Sequence, residues 1–150
     1  MRLATALSER ADLQVRIDQL AVRLSNNAKV QEGEKPSEDP ADLLKELSSC
    51  MTRLEELITR INLTNSRAAL DGVTLTEYIA KRDVLKQEIR ILRDFLNEAS
   101  SKVDRYSNKE IRILSTVDVA GLQKQLDERS KRLRELDDKL QEANWTTELQ

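Results

Sequence analysis

Four stretches of the chain place apolar residues at alternating three- and four-residue spacing. The first runs Leu3, Ala6, Arg10, Leu13, Ile17, Leu20, Leu24 and the second Leu44, Leu47, Met51, Leu54, Ile58, Ile61, Asn65, Ala68. The third runs Leu75, Tyr78, Arg82, Leu85, Ile89, Leu92, Leu96, Ala99, Val103 and the fourth Val119, Leu122, Leu126, Arg129, Leu133, Leu136, Leu140, Ala143. A period averaging three and a half residues holds one narrow stripe of a helix against a partner helix. The pattern predicts an all-α fold, an antiparallel coiled-coil bundle of about four long helices. Three seams carry an arginine in a core slot: Arg10, Arg82 and Arg129. A buried guanidinium without a partner is costly, so each is expected to be paired.

Helices are expected over residues 2–30, 41–70, 75–104 and 119–143. The acidic loop 31–40, with Gly33, Pro36 and Pro40, is the clearest break. Asp39 can cap the second helix, with Pro40 at its first position, where a missing N–H costs little. That helix is expected to end near Asp71-Gly72, where glycine can take the left-handed conformation. Thr74 and Glu77 have the spacing of a capping box for the third helix. Across 106–117 the seam is lost and β-branched residues alternate with others, which predicts an extended connection. Asp118 can cap the fourth helix. Short connections make neighbouring helices antiparallel, within one helical domain spanning 1–150.

Composition supports this reading. Charged residues make up 35% of the 150 and aromatics only 3%, the balance of long helices and not of sheets. A net charge of -2, with acidic and basic residues interleaved, argues against a nucleic-acid partner, which needs clustered cations. Narrow stripes with mixed-sign polar faces also argue against membrane insertion, and no signal peptide or transmembrane run is evident, so a cytoplasmic location is expected. Cys50 is the single cysteine and is expected to pack at the edge of the second seam. A chain this poor in aromatics fills little core alone, so a homo-oligomer is expected.

Enzyme signatures are missing. The chain has no histidine, which removes histidine triads and Glu-x-x-His metal pairs. Its three glycines form no phosphate loop, and neither a metal nor a cofactor is implied. The expected chemistry is a polar layer. With the loops centred near residues 35 and 73 and an equal rise per residue, one level of the bundle collects Glu9, Arg10, Asn62, Asn65, Arg82 and Asp83. Such a layer serves as a registry device between helices. It could instead hold a small anion between two guanidinium forks, making a carboxylate or phosphate the alternative partner.

Several stretches carry a resemblance: Leu7-Ser8-Glu9-Arg10-Ala11-Asp12-Leu13, Arg60-Ile61-Asn62-Leu63-Thr64-Asn65, Lys81-Arg82-Asp83-Val84-Leu85, Asp104-Arg105-Tyr106-Ser107 and the closing Asn144-Trp145-Thr146-Thr147-Glu148-Leu149. Across nearly the whole chain they resemble a family of small bacterial proteins labelled septicolysin-like. The label implies a membrane-active, pore-forming toxin and brings no catalytic or binding residue. The residues themselves imply a non-enzymatic oligomeric bundle acting as a structural or interaction module. The toxin and the small-anion binder are the alternatives.

Overall fold

The Asp39-Pro40 pair opens a helix as its chemistry requires: the Asp39 carboxylate accepts the Ala41 amide at 2.9 Å, and proline occupies the first turn. The structure, a computed structural model, describes residues 1–101 and 112–150. It contains helices α1 (Leu3–Asn26), α2 (Pro40–Arg67), α3 (Leu75–Ser100) and α4 (Val119–Thr146). Between α2 and α3 lie strands β1 (Ala69–Leu70) and β2 (Val73–Thr74). The chain is predominantly α-helical, as the seams predict. Residues 112–117 lie outside any helix and form no strand. The rest of the expected extended connection, 106–111, and the expected end of the third helix, including Val103, fall outside the described residues. Contacts divide the chain into two compact units: Met1–Thr76 with Gln141–Gln150, and Glu77–Leu140.

In the first unit α1 packs on α2. Ile17, Leu20, Leu43 and Cys50 form a buried cluster, joined by Leu13, Leu24, Leu47 and Leu54. Leu57, Ile61 and Thr64 continue the buried row along α2. The seam is therefore Leu43, Leu47, Cys50, Leu54, Leu57, Ile61, Thr64, which corrects the expected series through Leu44, Met51, Ile58 and Asn65. The two series share Leu47, Leu54 and Ile61 and differ by one residue at every other slot. Apolar residues occupy both alternatives at 43/44 and 57/58, so periodicity alone did not separate them. Cys50 consequently sits in the core and not at its edge.

Two boundaries also differ from expectation. Helix α1 ends at Asn26, where the Asn27 side chain donates to the Arg23 carbonyl and accepts the Glu38 amide. Helix α2 ends at Arg67, and the chain turns through a β-hairpin that pairs Ala69 with Thr74 and Leu70 with Val73. Asp71 and Gly72 form its two-residue turn, both at positive φ (53° and 79°), the conformation an Asp-Gly turn supplies to twisted strands.

The ends of the chain meet within this unit. No side chain caps α1; instead the Leu3 amide donates to the Thr147 carbonyl, and the Leu149 amide to the Met1 carbonyl. Thr64, fully buried, accepts the Gln150 amide on its hydroxyl, which itself donates to the Arg60 carbonyl. Amide groups at a helix start have no partner within the helix, so the closing segment completes α1.

The second unit is built from α3 and α4. Leu85, Ile89, Leu96 and Leu126 are buried together, with Leu92, Val119, Leu122, Leu133 and Leu136 against them. Asp118 caps α4 through the Gly121 amide, as its position predicts.

Candidate functional site

The heptad of α1 that flanks the seam reads Glu9, Arg16, Arg23, and that of α2 reads Glu46, Arg53, Arg60. Packed antiparallel, these rows meet with opposite charges. Arg53 holds Glu9 through two parallel contacts of 2.6 and 2.9 Å and Arg16 meets Glu46 at 2.6 Å, while Arg23 grips Glu38, in the loop before α2, with both its Nε and a terminal nitrogen. Arg53 also reaches Glu56 at 2.8 Å, and Arg60 continues the chain of contacts to Glu56 and to the Gln150 carbonyl. Glu148 closes the terminal segment against the N-terminal ammonium and Arg2, each at 3.1 Å.

These contacts set the ionisation of the carboxyls. The hydrogen bond from Arg53 holds Glu9 below the usual carboxylate range, and Arg53 does the same to Glu56. Arg23 lowers Glu38, and the N-terminal ammonium lowers Glu148. The Glu9 and Arg53 side chains are about one-third exposed, so the pair is a partly solvated clamp and not a buried charge.

The sequence placed the polar layer differently. Glu9 meets Arg53, so Arg10 is not level with Asn62, which lies about two and a half turns further along α2 at 3.6 residues per turn. The expected loop centre near residue 35 was too high. Asn27 and Glu38 are bonded to each other, so the residues between them loop out without lengthening the helix pair. Arg10 and Asn62 are exposed and Asn65 is half-buried. Arg10 is thus no core residue, and it makes no ion pair among the described residues. In the second unit, Arg82 is half-buried and donates two bonds to the neighbouring Asp83 carboxylate, at 3.0 and 2.9 Å. Arg129 meets Glu88 of α3 at 2.7 Å. The arginines that matter to the first seam are therefore Arg16, Arg23 and Arg53. Their seven-residue spacing beside the apolar stripe was the signal that identifies them.

Chemistry beyond ion pairing is thin. Among the described residues no cluster of three metal-ligating side chains occurs, and every buried side-chain polar atom has a partner. An open depression of about 280 Å³ lies against Val117, Asp118, Gly121, Leu122 and Gln125, but its carboxylate is occupied in capping α4. No described helix is long and apolar enough to cross a membrane. What remains open is apolar surface. On α2, Leu44, Met51 and Ile58 are 55%, 46% and 41% exposed at seven-residue spacing. On α3, Val84, Ile91 and Phe95 are exposed as well.

A family model described as a family of unknown function (DUF6847) matches residues 10–149. A solved structure, the crystal structure of a functionally unknown conserved protein from Corynebacterium diphtheriae, is similar over 100% of this chain and 99% of that one, with 40% sequence identity and a TM-score of 0.94. No curated protein matches. These findings overturn the septicolysin-like resemblance: most of the stretches that suggested it lie within the matched region, and neither description mentions a cytolysin. The closing Thr-Glu-Leu has a structural use, because Thr147 completes α1, Glu148 binds the N-terminus and Leu149 is buried.

Proposed function

This chain belongs to the family of unknown function DUF6847, and we propose that it is a non-enzymatic structural or interaction module that works as a homo-oligomer through its helical surfaces. The observation that carries the proposal is the open heptad row Leu44, Met51, Ile58, on a helix whose other apolar row is already filled by α1. Large side chains at coiled-coil spacing are costly to leave in water and are the anchors a partner helix takes up. The polar groups point the same way. The guanidinium forks of Arg23, Arg53 and Arg82 are already held by carboxylates, so they offer no vacant cradle for an anion.

Sedimentation equilibrium at micromolar concentration tests the reading. The expected mass is well above the 17.2 kDa of one chain. A thermal-shift screen with phosphate and dicarboxylates is expected to show no stabilisation. A clean monomer, or a shift that saturates with one anion, overturns the proposal.

A further inference from the structure

Helix α4 ends at Thr146, and the segment Thr147–Gln150 leaves it as irregular, extended chain. The backbone groups of such a segment need partners outside it, and within the first unit they find them on two sides. On one side Glu148 pairs antiparallel with Arg2: the Leu3 amide donates to the Thr147 carbonyl at 2.9 Å, and the Leu149 amide to the Met1 carbonyl at 2.8 Å. On the other side the last two turns of α2 receive Gln150. The Thr64 hydroxyl accepts its amide at 3.0 Å, Arg60 donates to its carbonyl at 2.9 Å, and Arg67 donates to its side-chain oxygen at 3.1 Å. Arg60, Thr64 and Arg67 stand four and three residues apart, so one stripe of the helix presents them together. Side chains alternate along the segment as on a strand: Leu149 is buried, while Glu148 stands in solvent beside Arg2.

Proteins take up extended peptides in this way: main-chain bonds hold the peptide, and a slot for an alternate side chain selects it. The amides of Leu149 and Gln150 and the carbonyls of Thr147 and Gln150 are groups that any extended chain carries. The side chains in use are a carboxylate at 148, a leucine at 149 and an amide at 150. At the last of these the charges are poorly matched. Arg67 donates to a neutral oxygen, where a carboxylate would add the attraction of opposite charge and a two-pronged contact. We propose that the start of α1 and the end of α2 form a docking groove for an extended acidic peptide of the pattern acid-Leu-acid, held shut by Thr147–Gln150 as a resident substitute. The segment can leave without unwinding α4, because the last turn is closed on itself: the Thr147 amide donates to the Ala143 carbonyl and the Thr146 hydroxyl to that of Glu142. An incoming peptide then supplies the acceptor that the Leu3 amide needs at the start of α1. A tethered segment competes at an effective concentration on the order of millimolar, so the closed groove admits only a peptide that adds what Gln150 lacks. The groove lies past the exposed row Leu44, Met51, Ile58 on α2 and needs no second copy, so it goes beyond the oligomer reading.

Fluorescence polarisation of a labelled Thr-Thr-Glu-Leu-Glu peptide on the full chain tests it. Leu149→Ser removes the apolar anchor of the resident segment, and it is expected to tighten peptide binding by about ten-fold or more over the wild type, because the open groove is then the populated state. In that background Arg67→Ala is expected to weaken the acidic peptide by about five-fold. A peptide ending in glutamine, as the chain itself does at 150, is expected to bind less tightly than the acidic one, and a peptide with serine for its leucine not to bind. A folded Leu149→Ser chain that does not take up the acidic peptide, that binds the serine peptide as well, or that is indifferent to Arg67→Ala overturns the proposal. Circular dichroism checks the fold. Were Leu149→Ser to lose its helix, Gln150→Glu in the otherwise unchanged chain decides. A carboxylate at Arg67 is expected to slow amide exchange at Leu149 and Gln150 by about three-fold, and exchange that is equal or faster overturns the proposal.

Discussion

Leu57 and Ile58 are neighbours in the chain with opposite surroundings: Leu57 is 0% exposed and Ile58 is 41% exposed. Leu57→Ala removes side-chain volume from a site closed on every side, and the expected cost is about 2–5 kcal/mol by urea denaturation. Arg10→Ala removes an exposed side chain with no ion pair among the described residues, and its expected effect is within about 0.5 kcal/mol. A large loss at Arg10 would mean that the seam is the one its sequence slot suggested. The clamp carboxyls make a separate claim. Glu9, Glu38, Glu56 and Glu148 all have lowered pKa values in the folded chain. A carboxyl lowered by folding contributes stability above its unfolded pKa, about 4.3 for Glu, and that contribution is lost as the pH falls through the folded value. The melting temperature is therefore expected to drop on acidification below about pH 4.3, and Glu9→Gln with Glu38→Gln is expected to flatten that slope. An unchanged slope would mean that the clamps do not form in solution.

At the scale of elements, Gly72 tests the hairpin. Its φ of +79° strains any side chain even though no atom stands in the way, so Gly72→Ala is expected to cost about 1 kcal/mol. Thr64→Val keeps the shape of a fully buried side chain but deletes the hydroxyl that accepts the Gln150 amide. Faster amide exchange at Gln150 and Leu149 is the expected readout, with the exchange of α4 unchanged. The helices themselves were legible because their signals agree: a period near 3.5, Asp39-Pro40 opening α2 and Asp118 opening α4. The hairpin was legible too, since Asp71-Gly72 between Ala69-Leu70 and Val73-Thr74 is a hairpin turn. The glycine was read instead as a helix end because it also suits that role. The register of α2 was not legible. Leu43 beside Leu44 and Leu57 beside Ile58 give two valid heptads, and only packing against α1 selects one.

At the scale of the molecule, that unselected heptad leaves Leu44, Met51 and Ile58 exposed on α2, the observation on which the proposed interaction role rests. The candidate layer of Glu9, Arg10, Asn62, Asn65, Arg82 and Asp83 came from loop arithmetic, which fails when a loop doubles back as residues 27–38 do. Of the six, Glu9 occupies an interhelical clamp, and it does so with Arg53, a partner legible only from the seven-residue spacing of charges beside the seam. The most direct measurement is sedimentation equilibrium of the wild type beside Met51→Glu, from micromolar to a hundred-fold higher concentration. The expected result is a wild-type mass well above the 17.2 kDa chain and a variant shifted toward monomer at equal helix content. A wild type that stays monomeric across that range would contradict it.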